Sequence, residues 1–270
     1  MKKLMIILLF LPHLLIAKDK DAYHVFGKFE YGFLGLLQHK SKWSKENPEF
    51  NYVKNGGQDL LFPTWRVESG FKPNKKNMFS FIYQPIPLET EVVLKEEVKI
   101  DQVIFEKNSD VLMKYDFSFY RFNYWSLLTS SAKGSFWVGG ALQIRNADIR
   151  FTDRTGKNSF RTSSLGPVPL INFLYENNFS RRIHQQFKLA GFWAPIKYIN
   201  GGTNDVNGWI YEFESQSKII LKNDLDAFVN FRVLGGGSEG TSKTTRVSGG
   251  NYTKDVLLTS SFTVGLEKNI

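Results

Sequence analysis

From Val25 onward the chain alternates apolar and polar side chains with a period of two, in segments separated by turn residues. Along 209–221 one face carries Trp209, Tyr211, Phe213, Ser215, Ser217, Ile219 and Leu221, and the other carries Glu212, Glu214, Gln216 and Lys218. Only an extended strand puts successive side chains on opposite faces in this way. The last segment sets Val256, Leu258, Phe262, Val264 and Leu266 against Thr259, Ser261, Thr263, Gly265 and Glu267. Phe228 breaks the rule by falling on the polar face of its segment, and the alternation changes phase near Tyr120 and near Asn146, which reads as two β-bulges. No segment carries a convincing amphipathic-helix pattern.

The pattern predicts about ten strands, at approximately 24–37, 60–71, 77–88, 111–127, 134–151, 159–177, 182–196, 207–221, 225–235 and 254–267. Short connections at 72–76, 128–133, 178–181 and 222–224 alternate with longer ones at 38–59, 89–110, 197–206 and 236–253, while 152–158 is short on the long side. An even number of strands with alternating short and long loops is the layout of an all-β, antiparallel transmembrane β-barrel. Ten strands is the expectation, with eight or twelve as alternatives. A soluble exported barrel or sandwich, with its apolar face turned inward, is the competing architecture.

The N-terminus adds an address. Met1-Lys2-Lys3, the apolar run Leu4 to Ile16 and the small Ala17 before Lys18-Asp19-Lys20-Asp21 have the form of a secretory signal peptide over 1–17. Residues 18–270 then make a single barrel domain. The absence of cysteine excludes a disulfide scaffold, a thiolate metal site and a lipoprotein anchor. Removing Lys2 and Lys3 takes the formal charge from +9 to about +7, a basic balance suited to phosphate-bearing lipids.

Facing the predicted interior are Lys28, Glu30, Arg66, Glu68, Asp116, Arg121, Arg145, Glu176, Lys188, Glu212, Glu214, Lys218, Asp226 and Arg232. Their signs nearly balance, so the expectation is a polar, charge-networked and largely plugged lumen. Trp125 and Trp137 beside one short turn, and Trp65, Trp193 and Trp209 near the outer strand ends, are the expected aromatic girdles. Pro63, Pro85, Pro87, Pro167, Pro169 and Pro195 all fall at outer strand ends, on the second and third strands and again on the sixth and seventh. There a missing backbone donor costs least, and the weakened ladders could open side gaps to the outer leaflet. This resembles a device of outer-membrane lipid A palmitoyltransferases, none of whose catalytic motifs is matched.

Candidate chemistry is sparse. Gly235 to Gly240 matches G-x-G-x-x-G, but no helix pattern follows, which argues against nucleotide binding. His24, His39 and His184 do not cluster, so neither a metal nor a cofactor is expected. His39, Ser41, Ser44 and Asp59 bracket the first outer loop and are the candidates for a serine–histidine hydrolase or acyltransferase at the rim; the plainer reading is solvated loop residues.

The segments Ala141-Leu142-Gln143-Ile144-Arg145-Asn146-Ala147, Gly166-Pro167-Val168-Pro169-Leu170, Gly208-Trp209-Ile210-Tyr211 and Leu234-Gly235-Gly236-Gly237 resemble those of uncharacterised bacterial outer-membrane β-barrel proteins. The resemblance implies an outer-membrane location and no activity. The chain departs from the common pattern by ending Glu267-Lys268-Asn269-Ile270 without a terminal aromatic, leaving Phe262 and Leu266 to serve assembly. Three functions follow as expectations. The first is a structural or interaction barrel whose loops, with Trp43, Phe50, Tyr52 and Tyr252, contact lipopolysaccharide, a host or a neighbour. The second is a lipid-modifying enzyme at the outer rim. The third is a narrow channel or a lipid or solute transporter. Expected partners are outer-membrane lipids including lipopolysaccharide and the outer-membrane assembly machinery, with no nucleic acid and a monomeric state.

Overall fold

The computed structural model describes residues 23–100, 103–195, 204–242 and 252–270. The segment expected to be the signal peptide lies outside them. The strands are β1 (His24–Lys42), β2 (Phe50–Asn51), β3 (Leu61–Asn74), β4 (Asn77–Gln84), β5 (Pro87–Val93), β6 (Val98–Ile100), β7 (Val103–Phe105), β8 (Asp110–Ser131), β9 (Gly134–Asp153), β10 (Ser159–Asn178), β11 (Ile183–Pro195), β12 (Asn204–Ile220), β13 (Leu225–Ser242) and β14 (Tyr252–Asn269). β4 and β5 are two halves of one stave, broken at Pro85 and Ile86, and both pair with β8. Ten antiparallel staves result, and pairing of β14 with β1 from Phe26↔Asn269 to Lys42↔Lys254 closes them into a barrel. β2 is a short addition at the outer end of β1, and β6 with β7 forms a separate hairpin within an outer connection.

The predicted strands are present, and most differences are extensions at the outer ends. β1 runs to Lys42 and β13 to Ser242, through Gly235, Gly236 and Gly237, because ladders to β12 and β14 hold a segment whose composition reads as a turn.

Neither bulge expected near Tyr120 and Asn146 exists. The β8–β9 ladder is continuous from Val111↔Asp153 to Leu127↔Trp137, with its register shift between Leu127 and Thr129. Val111, Met113, Tyr115, Phe117 and Phe119 all point inward and are buried. The pleat never changes phase there; the environment does. The upper interior is apolar and the outer surface at that height is polar, so the two faces exchange character along an unbroken strand.

The lumen is therefore zoned along its axis. At the long-loop end Leu34, Phe62, Met113, Phe119 and Phe151 pack with Trp43, Phe50, Tyr52, Ile100 and Phe105 brought in by the connections. Each such burial is worth about 1.5–3 kcal/mol. The middle is ionic. At the end where His24 and Asn269 lie, Phe26, Met78, Trp125, Trp137 and Leu174 form a second apolar cluster. Phe228 is 4% exposed inside the barrel, and its ring fills the space beside its cross-strand partner Gly265, where a Cβ would lie 2.4 Å from the ring. Its place on a polar face is thus a lumen-filling contact.

Outside, Phe29, Tyr31, Phe122, Leu142, Ile171 and Val264 are exposed and form an apolar band. The cross-strand row Tyr120–Ile144–Pro167 marks its upper limit on three neighbouring staves, since Asp116, Asp148 and Arg161 face out above it.

Candidate functional site

The central belt is built from the inward faces of eight staves. Arg121 on β8 donates to both carboxylate oxygens of Glu212 on β12, at 3.1 and 2.8 Å, and to Oε1 of Gln143 at 2.9 and 2.7 Å. Arg66 on β3 pairs closely with Glu30 on β1 and donates to Glu214 on β12 at 2.7 Å. Lys188 bridges Glu68 (3.5 Å) and Glu214 (3.3 Å). Lys218 joins Asp226 (3.3 Å) and Glu267 (3.1 Å), and Lys28 reaches Glu267 at 3.2 Å. Glu30 also accepts from Asn230 and Thr263, at 2.9 and 2.8 Å. Arg121–Glu212 and Arg66–Glu214 each join staves four positions apart around the ring of ten, so they cross the bore. These side chains are buried, and in such an interior multiply bonded ion pairs hold their geometry and an unpaired charge is costly.

Of the residues expected in this network, Glu176 sits at the terminal end of the lumen, accepting from Trp137 Nε1 (2.9 Å), Ser135 (2.6 Å) and Gln186 (2.8 Å). Arg232 is buried, 4.0 Å from Glu30 and 3.5 Å from Ser261. Arg145 faces inward above the belt. Asp116 is a correction: it faces outward, and its carboxylate accepts from the Ser118 hydroxyl (2.7 Å) and the Ser118 amide (3.1 Å), a consequence of the unbroken β8 pleat. The girdle also needs correcting at Trp125 and Trp137. Each is 4% exposed and packs in the lumen, because their parity on β8 and β9 matches Arg121 and Gln143. Trp65 and Trp193 are exposed on the outer wall, and Trp209 is half-buried opposite Trp193.

The proposed rim chemistry disperses. His39 is 1% exposed, stacked on Tyr52 with ring centroids 3.6 Å apart, with Nδ1 2.7 Å from Gln58 Oε1. Ser41 Oγ donates to Asp255 Oδ1 at 2.5 Å and lies 3.3 Å from Tyr52 Oη. Burial, reinforced by the Asp255 carboxylate, pushes the Tyr52 phenol well above its ordinary range, so it stays protonated. Ser44 is half-buried, accepting from the Glu46 amide, and Asp59 is exposed beside Thr90. Among the described residues no hydrogen bond links His39 to a serine or to Asp59, so these four do not form a nucleophile relay.

Above the belt, a cavity of about 300 Å³ lies within the wall formed by β9 to β14 and reaches Trp43 and Tyr115. Its lining is largely apolar, with Arg145 and Asp255 as its charged side chains. Sequence reasoning missed it. The available signal was the glycines at inward positions, Gly166, Gly208 and Gly236, each leaving the wall without a side chain. Asp255 was missed because it meets Ser41 only through the closure of β14 onto β1.

Comparison with solved structures bears on the fold. The outer membrane protease OmpT of Escherichia coli is similar with a TM-score of 0.51 and 8% identity, over 92% of this chain and 97% of that one. The toluene transporter TodX of P. putida gives 0.35 and 8%, over 93% and 91%. The outer membrane protein OprG of Pseudomonas aeruginosa gives 0.30 and 7%, over 92% and 96%. The OmpT likeness, at so low an identity, shows the fold alone: a closed antiparallel barrel of the outer-membrane kind. No family model and no curated protein matches the chain.

Proposed function

We propose that the chain is an integral outer-membrane barrel with a non-conducting lumen, acting through its outer surface on lipopolysaccharide or a neighbouring molecule. The observation that carries this reading is the pair of ion bridges across the bore, Arg121–Glu212 and Arg66–Glu214, with an apolar cluster on either side. A wide aqueous path would require these buried pairs to separate and the aromatic layers to withdraw. The exposed apolar band supports insertion in hydrocarbon, since a soluble barrel would leave Phe29, Phe122, Ile171 and Val264 in water. The polar outer ends of β8 and β9 supply contact material above that band. The dispersal of His39, Ser41, Ser44 and Asp59 gives the enzyme reading no support.

The test has two parts. Heat-modifiable gel mobility of the membrane fraction should show a closed barrel, and the purified protein in planar bilayers should give no stepwise conductance. Sustained open-channel currents from the wild-type chain would overturn the non-conducting reading.

A further inference from the structure

The barrel wall contains a seam. β10 and β11 pair from Asn178↔His184 to Ile171↔Gly191 and, among the described residues, no further. β10 nevertheless stays paired with β9 as far as Ser159↔Thr152, and β11 with β12 as far as Pro195↔Asn207. The prolines explain which side opens. A proline fits an unbroken antiparallel ladder only where the residue pair exchanges no hydrogen bonds. Pro167 and Pro169 occupy such positions toward β9, and Pro195 does so toward β12. Their faces without N–H groups therefore turn toward each other across the seam.

Its depth matters. The seam starts four residues below Pro167, in the row that bounds the outer apolar band. At ~3.3 Å per residue it descends ~13 Å, into the depth of one leaflet. Unpaired backbone at membrane depth is tolerated only where it is buried or lines a cavity. Here it lines one: Gly166, Pro167 and Val168 on one edge and Phe192 on the other belong to the wall of the 300 Å³ cavity. A second gap between β3 and β5, above Val67↔Tyr83 and edged by Pro63 and Pro87, is packed shut. Phe62, Ile86 and Leu88 are buried there, and the Asp59 amide bonds to Thr90.

At the inner end of the seam cavity stands Arg145, cross-strand from Gly166. Its guanidinium lies 5.3 Å from the Phe117 ring centroid and, unlike Arg66 and Arg121, makes no ion pair among the described residues. Asp255 on the opposite wall is already engaged by Ser41. An apolar cleft ending in a guanidinium that, among the described residues, no carboxylate pairs with directly, the Asp255 carboxylate of the same cavity being bonded to Ser41, fits an apolar tail and an anionic head.

We propose that the β10–β11 seam and this cavity bind a single-chain amphiphile with a carboxylate or phosphate head, entering sideways from the outer leaflet. The tail lies against Val168, Phe192, Ile210 and Leu234, and Arg145 takes the head. The volume is at the lower end of the ~300–1,000 Å³ of ligand pockets. It accommodates on the order of ten methylene-sized groups at ~30 Å³ each.

The experiment measures binding of decanoate, decyl phosphate and decanol to the protein in lipid nanodiscs, against empty nanodiscs. Equilibrium dialysis and the fluorescence of Trp43 and Trp209 in the cavity wall are the readouts. Saturable binding near one per barrel is expected for the anions. Arg145→Gln should weaken both anions about ten- to hundredfold, the size of a charged hydrogen bond, and leave decanol unchanged. Gly166→Phe should remove binding of all three: a Cβ there meets nothing within 4 Å, so the ring enters open space and heat-modifiable mobility should persist. Tighter binding of decanoate indicates a free fatty acid as the source, and tighter binding of decyl phosphate a single-chain phospholipid; either supports the site. Absence of saturable binding, wild-type binding by Gly166→Phe, or equal loss of decanol and decanoate in Arg145→Gln would overturn it. None of these results moves the bilayer conductance, so the plugged lumen is tested separately.

Discussion

Replacing Arg66 by methionine puts the central belt under direct test. The side chain is 4% exposed and holds two carboxylates, Glu30 and Glu214, from opposite sides. Removing one partner of a buried pair costs roughly 3–5 kcal/mol, because the remaining charge is stranded. Here the lower end applies. Glu214 keeps Lys188 at 3.3 Å, and Glu30 keeps Asn230 and Thr263. Arg66→Met should therefore destabilise the barrel by about 3 kcal/mol. Adding Glu30→Gln removes a stranded charge while keeping a group that Asn230 and Thr263 can still meet. The double variant should then be more stable than the sum of the singles by about 1–2 kcal/mol. The assay is reversible urea or guanidinium unfolding in lipid vesicles, followed by tryptophan emission and gel mobility. Arg66→Met within about 0.5 kcal/mol of wild type, or strict additivity with Glu30→Gln, would show that these charges are solvated and that the bore is open.

Three further outcomes follow. With single-tryptophan variants in brominated-lipid vesicles, Trp65 and Trp193 should be quenched by the acyl chains, while Trp125 and Trp137 should not. Trp137→Ala should lower stability by about 3–5 kcal/mol through loss of its lumen packing, measured by the same unfolding assay, whereas Trp193→Ala should cost far less. Gly265→Val should cost about 1–3 kcal/mol by overpacking: a Cβ there lies 2.4 Å from the Phe228 ring and 2.5 Å from the Phe29 carbonyl oxygen, and Phe228→Leu in the same chain should recover part of it.

How much of this was legible in the sequence depended on the environment of each strand. Along β12 the alternation of Tyr211 and Phe213 with Glu212 and Glu214 reads directly as lipid outside and ions inside, and the structure places them so. Along β8 the same logic fails. Tyr115 and Phe117 are as apolar as Tyr211 and Phe213, yet they face the interior while Asp116 faces out, because that stretch rises above the apolar band. Trp125 and Trp137 fail for the converse reason: tryptophan suits an interface, and equally an apolar cluster inside the lumen, where Trp137 donates its N–H to Glu176. His39 and Ser41 lie two residues apart and look like partners, but their hydrogen bonds go to Gln58 and Asp255, 19 and 214 residues away.

The period-two pattern and the approximate places of the strands were set by the sequence alone, since side-chain parity and turn placement are local properties of the chain, while the count of ten and the closure came from the pairing of β14 with β1. Tertiary structure decided which face met which medium at each height, where the ion pairs crossed, and that prolines on β10 and β11 border a cavity. Alternation records only that two faces differ. What each face touches is supplied by strands and loops distant in sequence, brought together when β14 closes onto β1.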